Sequence, residues 1–324
     1  MSKRFCYLLI TVTLLIICFD ILICGARKWK NVKIIRESNL YLLFPAIIRV
    51  SPDGKYIYVL DYGDMKIKRF SNDMKFIGEY GKGVGKGPGE FINPTDFKVD
   101  KNYNVWVCDP ENGIITVFKE NGEILKTLRL KSVPFRLTLV ENKFLVIKPL
   151  IRTDYLIEVY DLNGNFVFNL GKDIISDQGN KSILLGGWME SGGEFVYYGF
   201  ERIGLLVSFD IKNGVVKYVR KTIDETPEPK IEILSINGTT GMRIPRDAPF
   251  STMGIDVKDS LIFIKSGSDW DSKENITIID VYSSFNGDYL YSFKIPERTS
   301  MACFNGKFFF GIRDTILTKW RIQF

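Results

Sequence analysis

The sequence predicts an all-β fold: a six-bladed β-propeller whose last blade is completed by an N-terminal strand, with an apolar N-terminal helix ahead of it. Three observations carry this: a pattern recurring six times, short β-rich runs within each recurrence, and turn dipeptides between the runs. Around Asp61 the chain reads YIYVLDYGDMKIKRF (Tyr56 to Phe70), and around Asp109 it reads NVWVCDPENGIITVF (Asn104 to Phe118). Aligned on these aspartates, Asp64 matches Asn112, Ile67 matches Ile115 and Phe70 matches Phe118. The tail of the pattern returns at Asp154, Ile157, Tyr160; Ile203, Leu206, Phe209; Lys273, Ile276, Ile279; and Asp314, Leu317, Trp320. These anchors lie about 40–50 residues apart, the spacing of propeller blades. One longer interval holds a Pro- and Gly-bearing insertion over 222–249.

Each unit contains a run such as Tyr56-Ile57-Tyr58-Val59, Val105-Trp106-Val107 or Leu261-Ile262-Phe263-Ile264. Such runs are rich in β-branched and aromatic residues and lack a helical period. Asp53-Gly54, Asn121-Gly122, Asn163-Gly164, Asn213-Gly214, Asn286-Gly287 and Asn305-Gly306 punctuate them. These are hairpin signals, with type I′ turns expected. One four-stranded blade cannot bury both faces alone, whereas a ring of six covers every face and leaves short edges. Trp320 ends a third strand and little chain follows, while Trp29 to Arg36 forms an orphan strand before the first unit. That strand is predicted to complete the sixth blade. Trp106 and Trp320 fall in strand patterns and are expected in the core.

Residues 1–26 read as a signal peptide or N-terminal membrane anchor, and 27–324 as the propeller. Lys3 and Arg4 precede a nearly unbroken apolar run from Phe5 to Cys24, a positive n-region followed by an h-region. At about 20 residues the run is also long enough to span a bilayer. Gly25 and Ala26 offer a cleavage site, and Cys24 is the lipidation candidate. All three fates export the body of the chain, to the periplasm or cell envelope, with membrane contact only through this segment. Cys108 and Cys303 lie inside strand-like runs and read as buried thiols.

The 324 residues are 45% hydrophobic, and 44 Lys and Arg face 38 Asp and Glu, a net charge of +6. Basic and acidic residues are interspersed, which argues against a nucleic-acid stripe. There are no histidines. A His-ligated zinc, a Ser-His-Asp triad and a Cys-His dyad are therefore excluded.

The segment GKGVGKGPGEFINPTDFKVDKNYNVWVCDPENGIITVFKENGEIL, from Gly81 to Leu125, resembles an NHL-type repeat. It is most similar to the exported bacterial six-bladed propellers that carry a Gly-x-Gly-Pro-Gly-Glu-Phe signature. The likeness covers roughly Phe44 to Leu130. It implies six blades, with ligands on the face where the strand 2–3 loops and the inter-blade loops converge. Amidating and streptogramin lyases of this shape rely on histidines, which the chain lacks. Lactonases of related shape hold a divalent cation with Glu, Asn and Asp, and spacing alone assigns no such cluster.

The run Gly81, Gly83, Gly85, Gly87, Gly89 lacks the Gly-Lys-Ser/Thr ending of a phosphate loop and no helix follows it, so it reads as a crossing loop between blades. Asp61 and Asp109 end second strands. They are the metal candidates, for Ca2+ if any cation, and are otherwise acceptors for amides of the following loop. No other cofactor is predicted. Trp270, in a polar Ser266-to-Lys273 loop, reads as a stacking platform or as packing over a neighbouring blade. Trp188, Arg136, Arg202, Arg243 and Arg313 fall in or near loops of similar phase and are the remaining ligand-binding candidates. The leading expectation is a non-enzymatic, monomeric propeller binding a protein, peptide or glycan on these loops. The alternative is a cation-dependent lactonase or hydrolase.

Overall fold

The computed structural model describes residues 26–324 except 142, 150–153, 178–181, 225, 237–238 and 270–272. The predicted N-terminal helix, Cys24 and Trp270 lie outside the described residues. β1 (Lys33–Tyr41) comes first in the chain but pairs in the last blade. Blade 1 is β2 (Pro45–Val50), β3 (Tyr56–Asp61), β4 (Lys66–Ser71) and β5 (Phe76–Tyr80). Blade 2 is β6 (Asp96–Val99), β7 (Val105–Asp109), β8 (Ile114–Phe118) and β9 (Ile124–Leu128). Blade 3 is β10 (Pro134–Val140), β11 (Phe144–Pro149), β12 (Ile157–Asp161) and β13 (Phe166–Leu170). A short helix, α1 (Lys172–Asp177), leads to blade 4: β14 (Gly187–Gly192), β15 (Phe195–Phe200), β16 (Leu205–Asp210) and β17 (Val215–Lys221). The insertion follows as a hairpin, β18 (Glu232–Ile236) with β19 (Thr239–Arg243). Blade 5 is β20 (Thr252–Lys258), β21 (Leu261–Ser266), β22 (Thr277–Ser283) and β23 (Tyr289–Ile295). Blade 6 is β24 (Met301–Phe304), β25 (Phe308–Arg313), β26 (Ile316–Gln323) and, outermost, β1.

The first strands β2, β6, β10, β14, β20 and β24 contact one another in cyclic order and so line the axis. The core is not central. Six hydrophobic clusters each join two neighbouring blades, such as Tyr58 and Leu60 with Phe97 and Val107, or Phe263 and Val281 with Phe309 and Trp320. Each blade face thus buries itself on the next, as a radial repeat requires. Trp106 and Trp320 are buried, as expected, and so are Cys108 and Cys303, which form no disulfide.

The seam is an antiparallel ladder from Lys33↔Gln323 to Tyr41↔Ile316. It bulges at Glu37, whose carboxylate reaches back to Lys319 and Arg321. Ahead of β1 the chain also clasps blade 5, with Lys30 N donating to Ser292 O and Ser292 N to Lys28 O. Arg27 fills a polar niche there. Its guanidinium donates to Asp280 at 3.0 and 3.2 Å, to Ser266 and Ser268, and pairs with Asp224.

The turn dipeptides do sit in tight turns, but not of type I′. Gly54, Gly122, Gly164, Gly214, Gly287 and Gly306 have positive φ, while the Asp or Asn before each does not. At Gly122 the N–H donates to Lys119 O and the ladder slips between Val117 and Phe118, which is a type I turn closed by a bulge. The Gly-rich stretch is a crossing loop, as predicted. Gly81 adopts φ +99°, and a Cβ there would lie 2.5 Å from the ring of Phe91, which this loop plugs between blades 1 and 2.

Candidate functional site

Six first strands in register place one residue from each blade at the same height on the axis. Pairing with the second strands identifies the column: Arg49↔Tyr58, Lys98↔Trp106, Thr138↔Val146, Glu190↔Tyr197, Asp256↔Phe263 and Cys303↔Phe310. All six line a cavity of about 640 Å³ at the end of the channel where first strands turn into second strands. Its rim comes from the turns themselves, including Asp53, Lys101, Glu141, Lys258 and Lys307. This hairpin mouth is opposite the end where the chain crosses between blades, the end that the sequence favoured. Nothing in composition points to it. The trace it leaves is a polar residue near the end of an otherwise apolar run, as in PAIIRV, DFKV and TMGIDVK.

The column is a bound network of opposite charges. Arg49 Nη2 donates to Asp96 Oδ1 at 2.7 Å and Nη1 to Ile48 O at 3.0 Å, while Asp96 Oδ2 accepts from Leu137 N, tying blades 1, 2 and 3 together. Lys98 pairs with Glu190 from blade 2 to blade 4 and donates to Met189 O at 3.3 Å. Asp256 accepts from Phe304 N at 2.9 Å and from the Cys303 thiol at 3.4 Å, joining blades 5 and 6. Burial, then the charge of Glu190, push the Asp256 carboxyl up to about 6 against the pull of Arg49, Phe304 N–H and Lys98. Burial and the neighbouring Asp256 likewise raise the Cys303 thiol. Three buried polar atoms in the lining have no partner, Arg49 Nε, Asn72 Oδ1 and Thr138 Oγ1. A buried donor or hydroxyl left so costs about 1–3 kcal/mol, which a ligand would recover.

The sequence-derived candidates do not assemble into one site. Arg136 and Trp188 do meet: they sit on adjacent first strands with the guanidinium 3.8 Å from the indole centroid, and Arg136 Nη1 donates to Thr95 O at 2.6 Å. Arg202 lies over Phe250 at 3.4 Å and donates to Ala248 O, packing down the segment that enters blade 5. Arg243 pairs with Glu232 across the exposed insertion hairpin. Arg313 reaches Glu297 at 3.5 Å and Asp314 at 3.8 Å.

Asp61 and Asp109 act as staples. Asp61 accepts from Leu43 N, Phe44 N and Gly63 N and from Lys68 Nζ at 2.8 Å. Burial raises its pKa, but the Lys68 ammonium and these amides outweigh that and hold the carboxyl below the usual range. Asp109 accepts from Ile92 N, Asn93 N and Asn112 Nδ2. Most donors thus come from the segment entering the blade rather than from the loop after it. The matching second-strand ends are Pro149, Phe200, Ser266 and Arg313, so the carboxylates do not form a ring. Among the described residues no three Asp, Glu or Cys side chains converge as a metal-binding group.

A family profile described as DUF5128, 6-bladed beta-propeller, matches residues 38–150. No curated protein sequence matches. Three solved structures share the fold at low identity. One is from Bacteroides fragilis, described as a candidate exported protein; it is 12% identical with a TM-score of 0.56, over 91% of this chain and 95% of that one. A DUF4221 family member from Bacteroides vulgatus is 10% identical with a TM-score of 0.57, over 91% and 99%. Virginiamycin B lyase from Staphylococcus aureus is 14% identical with a TM-score of 0.54, over 90% and 99%.

Proposed function

We propose that the chain is an exported, non-enzymatic propeller that binds its ligand in the hairpin mouth of the central channel. The observation that carries this is the cavity itself, about 640 Å³ and lined by all six first strands, with Arg49 Nε and Thr138 Oγ1 unpartnered in its wall. That size falls in the range of small-ligand pockets, about 300–1,000 Å³. Export rests on the apolar run from Phe5 to Cys24 after Lys3 and Arg4, and on the fold shared with a candidate exported protein. The reading moves the ligand from the crossing-loop face to the opposite end, because Arg202, Arg243 and Arg313 are engaged in contacts of their own. A protein, peptide or glycan remains the ligand class. A cation-dependent hydrolase has no comparable support, since the Asp61 and Asp109 oxygens are taken by N–H donors.

The test is to obstruct the mouth. Ser191 lines the cavity and is only partly buried, so Ser191→Phe narrows the opening; it gives up one hydrogen bond between blades, from Ser191 Oγ to Leu139 O at 2.8 Å, and circular dichroism checks that the variant folds. Tripeptides and maltotriose are screened by thermal shift against wild type and variant. A probe that stabilises the wild type and not the variant supports the site. A probe that stabilises both equally refutes it.

A further inference from the structure

We infer that the hairpin mouth selects a short zwitterionic peptide, one carrying a free carboxylate and a free ammonium; this rests on the mouth being the binding site. The argument is the order of charge around the axis. Arg49 and Lys98 stand side by side on blades 1 and 2, and Glu190 and Asp256 stand side by side on blades 4 and 5. The neutral Thr138 and Cys303, on blades 3 and 6, separate the two pairs. The ring is therefore a dipole laid across the channel, cations on one wall and carboxyls on the other.

Lys98 and Glu190 neutralise each other by pairing across the channel. Arg49 pairs with Asp96 through Nη2 and keeps only Nε free, while Asp256 has no ion-pair partner among the described residues; these are the two ends that a ligand can engage. Arg49 is 7% exposed and its Nε donates to nothing. Thr138, fully buried, offers its unpartnered hydroxyl beside the cationic wall. Arg49 Nε is the charge-assisted donor for a carboxylate, and Thr138, on the far side of Lys98, adds a neutral one. Asp256 accepts one N–H and one thiol, which leaves acceptor positions for an ammonium.

Mono-charged ligands fit less well. An anion without a positive end meets Glu190 and Asp256, and a cation without a negative end meets Arg49 and Lys98. A neutral glycan covers charged groups and returns no countercharge, which is costly in a buried wall. The volume holds a few residues rather than a folded domain.

The experiment compares a tripeptide library with free termini, the same library N-acetylated, the same library C-amidated, and maltotriose. Binding is read by thermal shift and then calorimetry. The free library should bind about tenfold more tightly than either blocked form, the worth of one charge-assisted contact. Arg49→Lys keeps a cation beside Asp96 but removes Nε, and it should erase the advantage of free over C-amidated peptides. Asp256→Asn should erase the advantage of free over N-acetylated peptides, and circular dichroism checks that both variants fold. Equal affinity of free and blocked peptides, or binding of maltotriose alone, overturns the zwitterion inference; if that binding still vanishes in Ser191→Phe, the mouth stands. Binding that survives Ser191→Phe overturns the mouth, and no binding by free tripeptides at millimolar concentration overturns the peptide inference.

Discussion

Asp256→Asn should change how the stability of the protein depends on pH. The folded carboxyl titrates at about 6, against 3.8 for the ordinary group. Between these values the native state holds a proton that the unfolded chain has released. Unfolding then becomes easier as pH rises from about 4 to about 6, and the loss is complete above the folded value. Two units correspond to about 3 kcal/mol at full burial, and the open mouth screens this to about 1–2 kcal/mol. Asparagine imitates the protonated acid at every pH. Its Oδ1 can accept from Phe304 N–H while Nδ2 turns to the Cys303 sulfur, so both existing contacts keep a role. Urea unfolding of wild type and variant at about pH 4.5 and about pH 7.5 measures the difference. The variant should gain about 1–2 kcal/mol on the wild type across that interval. A gap that stays constant would refute the reasoning, because it would mean that folding does not protonate Asp256.

Removal of residues 27–41 should strip the cover from β26 and cost several kcal/mol, at about 1 kcal/mol for each lost ladder hydrogen bond. The bare edge should also make light scattering rise with protein concentration; an unchanged melting temperature and clear solutions would contradict the seam. Asp61→Ala leaves three amides without their acceptor and the Lys68 ammonium with Asp64 alone, and should cost about 3 kcal/mol by denaturant unfolding. Added Ca2+ should leave the wild-type melting temperature unmoved, whereas a cation-dependent rise would return Asp61 and Asp109 to a metal role.

The blades were legible because their signals are local. Tyr56 to Phe70 and Asn104 to Phe118 carry strand, turn and strand within one short window, and Asn-Gly needs only its own two residues to set a turn. The turns depart from type I′ for a local reason too, since a single positive φ suffices when a bulge follows. The orphan strand at Trp29 to Arg36 was found by subtraction, from a blade left one strand short. The axial column was not legible. Arg49, Lys98, Thr138, Glu190, Asp256 and Cys303 are far apart in the chain and become neighbours only when every first strand is in register. Arg136 and Trp188 are legible one by one, in or near loops of similar phase, and are partners because the ring sets β10 beside β14.

The sixth blade draws its outer strand from residues 33–41 and the other three from residues 301–323. β1 therefore has no strand to pair with until residues 316–323 arrive, and the loop that must close between them carries blades 1 to 5. Contacts of such separation form slowly, because chain entropy is spent before any pairing offsets it. Five blades can condense while the ring stands open, with one face of blade 1 and one of blade 5 exposed. That gapped intermediate is the species a chaperone would meet, and its lifetime is set by closure of the seam and not by the blades themselves.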